Sequence, residues 1–230
     1  MQSFSISDRG RAKPHRSSPD HRLQRPGEFL DIEARLTDCG VGRIAGVDEA
    51  GRGPLAGPVV ASAVILRQDD IPEGIRDSKQ LTANQRERLY REIRKRALSV
   101  GIGIVSAQAI DRINILQATR WAMSEALQSL KSGCDCVIVD GRVLPDTGMP
   151  AIGIIKGDSR CVSVAAASIV AKVTRDRLMD RMHLLYPRYS FRRNKGYGTR
   201  AHVEALKRCG PTRIHRLSFE PVLSTFEGWT

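Results

Sequence analysis

The stretch GVDEAGRGPLAGPVV, Gly46 to Val60, limits the possible folds of this chain more than any other. A short apolar run, RIAGVD, ends in acid and passes into a loop crowded with glycine and proline, after which PVVASAVILR resumes as a β-branched run. Runs of this length and composition read as buried strands. The pattern recurs: VGIGIVSA (Val100 to Ala107) reads as a third strand, and CDCVIVD and AIGIIKGD are strand-like runs that each end at an aspartate.

Helices are marked by their caps. Thr82 with Gln85 forms a capping box opening ANQRERLYREIRKRAL, and Asn114 with Gln117 opens ILQATRWAMSEALQSLKS, closed by Gly133. A long helix is expected from about Val162 to Tyr186, ended by Pro187, and Thr199 caps another that Gly210 and Pro211 stop. FLDIEARL (Phe29 to Leu36) suits a short helix leading into the domain. The expected order is β-β-β-α-α-β-β-α-α, an α/β architecture in which helices pack a sheet.

Length and composition exclude several classes. At 230 residues and 41% hydrophobic the chain can bury one substantial core. Its longest apolar runs, such as VSVAAASIVA, fall short of the roughly 18 residues a bilayer span needs. The first 27 residues, rich in Ser, Pro and Arg, lack the apolar core of a secretory signal, so a disordered tail and a cytoplasmic protein are expected. Five cysteines without a CxxC suggest neither a disulfide framework nor a zinc site.

The net charge is +12, and its placement says more than its size. Lys172 to Arg216 holds thirteen Lys or Arg against Asp176, Asp180 and Glu204, a net of +10. Such a segment is either a solvated face or a surface for a polyanion, of which phosphate backbones are the commonest.

Four acids, Asp48, Glu49, Asp140 and Asp158, fall where strands end, with Gly51, Gly141 and Gly157 close by. Each alone could be a turn residue. Together they pose an electrostatic problem, because two carboxylates about 4 Å apart repel by roughly 4 kcal/mol at an effective dielectric of 20. Either some are protonated or a cation lies between them, and an all-oxygen ligand set favours Mg²⁺ or Mn²⁺. Neighbours on a strand point to opposite faces, so the strand must break between Asp48 and Glu49 if both are to reach one cluster.

GRGPLA (Gly51 to Ala56) formally matches the G-x-G-x-x-G/A dinucleotide fingerprint, but that motif opens a helix and here a strand follows. A better account is close approach to a ligand backbone: Gly51 and Gly53 offer no side chain to obstruct it, and the loop N–H groups could turn inward as donors.

Six blocks in order, from about Arg43 to Leu223, resemble the ribonuclease HII family, the type 2 ribonucleases H: GVDEAGRGPLAGPVV, DSKQLTANQRERLYREI, VIVDG, KGDSRCVSVAAASIVAKVTRDRLM, YPRYSFRRNKGYGT and GPTRIHRLSFEPV. The resemblance implies a ribonuclease H-like mixed β-sheet flanked by helices, with residues 28–230 as the catalytic domain and a helical C-terminal part from about 188 to 230. It implies cleavage of RNA in RNA–DNA hybrids and nicking of DNA 5′ to embedded ribonucleotides, leaving 3′-OH and 5′-phosphate ends, by a monomer. Asp48, Glu49, Asp140 and Asp158 would be the catalytic ligands of two Mg²⁺ or Mn²⁺ ions. Main-chain groups of Gly51, Arg52 and Gly53 would read the ribose 2′-OH, Tyr197 would stack on the sugar, and Ser78, Lys79 and Lys172 would lie near phosphate. Two residues depart from the family pattern, Arg142 after VDG and Ser190 in place of a usual Gly. A non-catalytic duplex-binding module would explain the charge but not the acids; a hydrolase of small nucleotides would explain the acids but not the basic segment.

Overall fold

The computed structural model describes residues 32–227; the expected N-terminal tail and the start of the FLDIEARL helix lie outside this range. Five strands form one mixed sheet in the order β3-β2-β1-β4-β5, with β1 Ile44–Ala50, β2 Val59–Ile65, β3 Ser99–Val105, β4 Cys136–Asp140 and β5 Ala151–Ile154. β1 runs antiparallel to β2 and parallel to β4, so it is central and its C-terminal end lies beside that of β4. Among the described residues seven α-helices accompany the sheet: α1 Ile32–Asp38, α2 Ala83–Arg96, α3 Ala107–Gln128, α4 Val162–Leu185, α5 Phe191–Asn194, α6 Arg200–Cys209 and α7 Val222–Glu227. Among the described residues no helix is long and apolar enough to cross a membrane.

The order differs from that expected in the middle of the chain, and the short helices α5 and α7 are additional to it. α2 precedes β3, so the antiparallel β2–β3 pair is joined through a helix rather than a short turn. The strand expected to reach Ala107 ends at Val105, because Ser106 accepts a hydrogen bond from the Ala109 N–H and starts α3 there. Asn114 does cap, but inside that helix: it sits at φ 66, ψ 166, kinks the chain, and accepts from the Gln117 N–H at 3.1 Å. Thr82 and Gln85 form both halves of the expected capping box.

Both sheet faces are covered, which is why every residue of β2 is buried. On one face Ile110, Ala118, Ala122, Met123 and Ala126 of α3 pack on Ala45, Val47, Ala61, Ala63 and Val139. On the other, Ala165, Ala166, Ala167 and Ile169 of α4 join Leu89 and Ile93 of α2 against Val64. Backbones meet directly at both interfaces: a Cβ on Gly46 would lie 2.1 Å from the Ser163 carbonyl carbon, and one on Gly103 would lie 2.0 Å from the Ala122 carbonyl oxygen. The N-terminus of α4 is capped from α1, where the Glu33 carboxylate accepts from the N–H groups of Val162 (3.0 Å) and Ser163 (2.8 Å). A carboxylate satisfies orphan donors there and complements the helix dipole.

The C-terminal part builds a third cluster from Met179, Tyr189, Phe191, Ala205, Leu206 and Val222, and it includes Leu55 and Ala56 of the glycine loop. Ser190 enters this region at φ 54. A left-handed backbone costs an L-residue roughly 1–2 kcal/mol, which glycine avoids. Ser190→Gly should therefore raise stability by about 1 kcal/mol, seen as a melting temperature about 2–4 °C higher; an unchanged or lower value would show that the hydroxymethyl group offsets the backbone cost.

Two buried histidines link the same cluster. The Thr212 N–H donates to His215 Nδ1 at 2.9 Å, so His215 Nε2 carries the proton and donates to His202 Nε2 at 3.0 Å, leaving His202 Nδ1 to donate to the Tyr197 carbonyl at 2.8 Å. Burial lowers both pKa values, that of His215 to about 3. The unfolded chain therefore takes up protons first as pH falls; this contribution is fully present above about pH 6.5 and is lost toward pH 3. Denaturant titrations should show wild-type stability falling faster below about pH 6.5 than that of a His215→Asn variant, by up to about 1.4 kcal/mol per pH unit. Equal slopes would rule out the neutral pair.

Candidate active site

The parallel pairing of β1 and β4 brings two acids together. Val47 is in register with Val139, so Asp48 and Asp140 follow side by side at the C-terminal ends of adjacent strands. Asp158 arrives from the 3₁₀ turn Gly157–Ser159 that precedes α4, and the Gly157 N–H donates to Asp140 Oδ1 at 2.7 Å. Asp48, Asp140 and Asp158 each offer an oxygen within 4.8 Å of the others. Open strand ends of this kind are where α/β sheets bind ligands.

Glu49 behaves differently from the other three. β1 does not break: Asp48 pairs with Ser62 and Glu49 with Ala61 in continuous register. The pleat therefore sends Glu49 to the opposite face from Asp48. Its carboxylate lies outside the three-acid group and accepts from Arg52 at 3.3 Å, although it lines the same cleft.

The acids carry unbalanced charge. Burial, then Glu49 and Asp140, hold the Asp48 carboxyl well above the usual range; burial also raises Glu49, against the pull of Arg52. Asp140 is raised by burial and then by Asp158. Two cations are paired with the acids, Lys79 Nζ at 3.0 Å from Asp158 Oδ2 and Arg52 at 3.3 Å from Glu49. A set of hard oxygen donors held close and short of positive charge suits a divalent cation.

The cleft has a volume of about 420 Å³. The structure brings to its walls ten of the eleven residues singled out in the sequence, Asp48, Glu49, Gly51, Arg52, Gly53, Ser78, Lys79, Asp140, Lys172 and Tyr197; Asp158 belongs to the carboxylate group beneath. Ser78 Oγ and Ser168 Oγ are 2.7 Å apart, tying the DSK turn to α4, and Arg86 donates to the Ser78 carbonyl at 2.9 Å. Lys172 pairs with Asp176 at 2.8 Å. Tyr197 is 46% exposed, and its Cε1 lies 3.9 Å from where a Gly53 Cβ would stand. Arg142 faces a separate cleft with Leu116, Arg120 and Leu144.

Two readings change. Gly51, at φ +98, lacks a side chain where Arg175 packs, whose Nε would lie 2.0 Å from a Cβ there, so an internal contact also requires this glycine, which still lines the cleft. Likewise the basic segment is not one outward face: Arg175 and Arg216 are buried, while Arg188, Arg192, Arg193, Lys207, Arg208 and Arg213 are exposed. Arg175 and Arg86, which line the cleft, were not singled out in the sequence. Helical spacing carried the signal for the first, since Ser168, Lys172, Arg175 and Met179 recur at intervals of three and four.

Comparison with known proteins agrees with this geometry. The family model described as Ribonuclease HII matches residues 45–222. The Ribonuclease HII of Acetivibrio thermocellus is 52% identical over 200 residues, covering 87% of this chain and 78% of the relative. That of Chlamydia trachomatis serovar A is 52% identical over 197 residues, covering 85% and 90%. The crystal structure of ribonuclease H2 from Pyrococcus horikoshii OT3 superimposes with a TM-score of 0.70 at 28% identity, covering 82% of this chain and 99% of that one. Sheet order, strand-end acids and these similarities together show that the chain is a ribonuclease H-type hydrolase belonging to the ribonuclease HII family.

Proposed function

We propose that this hydrolase cuts the RNA strand of RNA–DNA hybrids and nicks duplex DNA on the 5′ side of embedded ribonucleotides, leaving 3′-OH and 5′-phosphate ends. The observation that carries the reading is the meeting of three carboxylates within 4.8 Å beside a main-chain loop and an exposed tyrosine.

Asp48, Asp140 and Asp158 would hold the cations directly; Glu49, on the far side of the strand, would join them by turning from Arg52. Two Mg²⁺ or Mn²⁺ ions bound there would supply an activated water and stabilise the departing 3′-oxygen. The electrostatics of two of the acids support this ligand set, since burial and neighbouring acids make the Asp48 and Asp140 carboxyl groups hard to ionise until positive charge arrives. Lys79, with its side chain 79% exposed, and Lys172 at the cleft wall are within the same site to bind a phosphate oxygen, with Ser78 beside them. Main-chain groups of Gly51, Arg52 and Gly53 would hydrogen-bond the 2′-hydroxyl and the adjoining backbone while Tyr197 stacks on the sugar. A site built to hydrogen-bond one hydroxyl can reject an analogue lacking it by roughly 10⁴-fold. The exposed arginines Arg188, Arg192 and Arg193 would add a salt-sensitive grip that is indifferent to sequence.

A DNA duplex carrying one ribonucleotide should be nicked in Mg²⁺ or Mn²⁺, at its 5′ side, while an all-DNA duplex stays intact. Equal cutting of both, or of neither, would overturn the proposal. The Asp48→Asn variant should keep its affinity for the duplex and lose at least about 10³-fold in kcat, equivalent to roughly 4 kcal/mol of barrier. Cutting at the wild-type rate would remove Asp48 from the metal site.

A further inference from the structure

Two buried arginines from separate later segments of the chain converge on the glycine loop. Arg216, from the C-terminal part, donates through NH2 to the Gly51 carbonyl (2.5 Å), through NH1 to the Arg52 carbonyl (2.7 Å) and through Nε to the Gly57 carbonyl (3.1 Å). Arg175, from α4, donates to the carbonyls of Ala56 (3.1 Å) and Pro58 (3.0 Å), and to that of Lys195 (2.9 Å). Among the described residues neither has a carboxylate within 4.0 Å. Burying a guanidinium without a counter-charge is costly, and a purely structural role would be served more cheaply by apolar packing. Burial pushes the Arg216 pKa down to about 9, which still leaves it charged at neutral pH.

Peptide geometry converts these contacts into a direction. The peptide unit is planar and trans, so the carbonyl of one residue and the N–H of the next point to opposite sides. Turning the Gly51 and Arg52 carbonyls inward to Arg216 therefore turns the N–H groups of Arg52 and Gly53 away from it. Among the described residues these two N–H groups meet no acceptor, and both residues line the cleft with the acids. The same segment braces Tyr197: the neighbouring His215 reaches its carbonyl through His202, and the Leu55 N–H donates to the Gly196 carbonyl at 2.8 Å.

From this we infer that Arg216 is a positioning residue that aims the N–H groups of Arg52 and Gly53 as the paired donors for the ribose 2′-hydroxyl and its adjoining oxygen. The inference rests on the function proposed above and adds the residue that sets the direction of the loop amides. Lysine retains the charge of Arg216 but cannot span three carbonyls, so Arg216→Lys is the informative substitution.

With its fold verified by circular dichroism, Arg216→Lys should lose about 10²-fold in kcat/KM on the single-ribonucleotide duplex, the effect expected of misdirecting one pre-aimed donor. Its affinity for an all-DNA duplex and its Mn²⁺ binding, read by calorimetry, should stay at wild-type values. Wild-type kcat/KM in the variant, or an equal loss of affinity for both duplexes, would overturn the inference. Should the variant not fold, the wild-type protein without metal decides: the amide resonances of Arg52 and Gly53 should shift with the ribonucleotide duplex and not with the all-DNA duplex, and identical shifts would overturn it. A wild-type enzyme that failed to distinguish the duplexes would instead defeat the proposed function, so the two failures are separable.

Discussion

The contact on which most of this structure depends is the backbone-to-backbone approach of α4 to β1 at Gly46, where a single methyl group would collide with Ser163. Small residues on α4, Ala165, Ala166 and Ala167, allow the helix to lie this close, and packing at that distance leaves no slack for sliding. Asp48 lies two residues beyond Gly46 and faces the same helix, so it meets Ser168 one layer down; Asp158 leads directly into the first turn. Further along, the same helix carries Lys172 to the cleft and Arg175 to the glycine loop. One interface thus sets the spacing of the acids, a cation beside them and the loop that faces them.

Electrostatics explains why positive charge is distributed as it is. Three carboxylates are clustered, and burial together with neighbouring acids raises the pKa values of Asp48 and Asp140. The cations nearest them, Lys79 and Arg52, are on exposed, adjustable side chains that a substrate phosphate or a metal ion can displace. Arg175 and Arg216 are fixed instead by five carbonyls of the loop, at Gly51, Arg52, Ala56, Gly57 and Pro58. Charge inside the fold directs backbone, and charge outside it remains free for a polyanion.

Much of this was legible in the residues. Caps at Thr82 and Thr199, the stop at Pro187 and the strand-like run ending at Asp140 are local signals, governed by neighbours within a few positions, and the structure bears them out, whereas the run toward Asp158 stops at Ile154 and the acid sits in a 3₁₀ turn. The break expected between Asp48 and Glu49 is absent, because continuous pairing with β2 holds the strand intact and leaves Glu49 beside Arg52 in the same cleft. α3 begins eight residues before the helix expected after Asn114: Ser106 and Asn114 are both competent caps, and the helix that Ser106 opens runs on through a kink at Asn114. Glu33 had no local mark of importance, since its partners are the Val162 and Ser163 amides some 130 positions away.

By itself the sequence determined the class of the fold, the candidate acids near strand ends and the glycine loop that follows two of them, because hydrophobic period, capping and residue chemistry are written locally. Which acids share a centre, and which arginines face inward, were decided only in the tertiary structure. A charge run shows sign and number but not side, and strand pairing together with the close seat of α4 is what sorts Asp48 from Glu49 and Arg216 from its exposed neighbours.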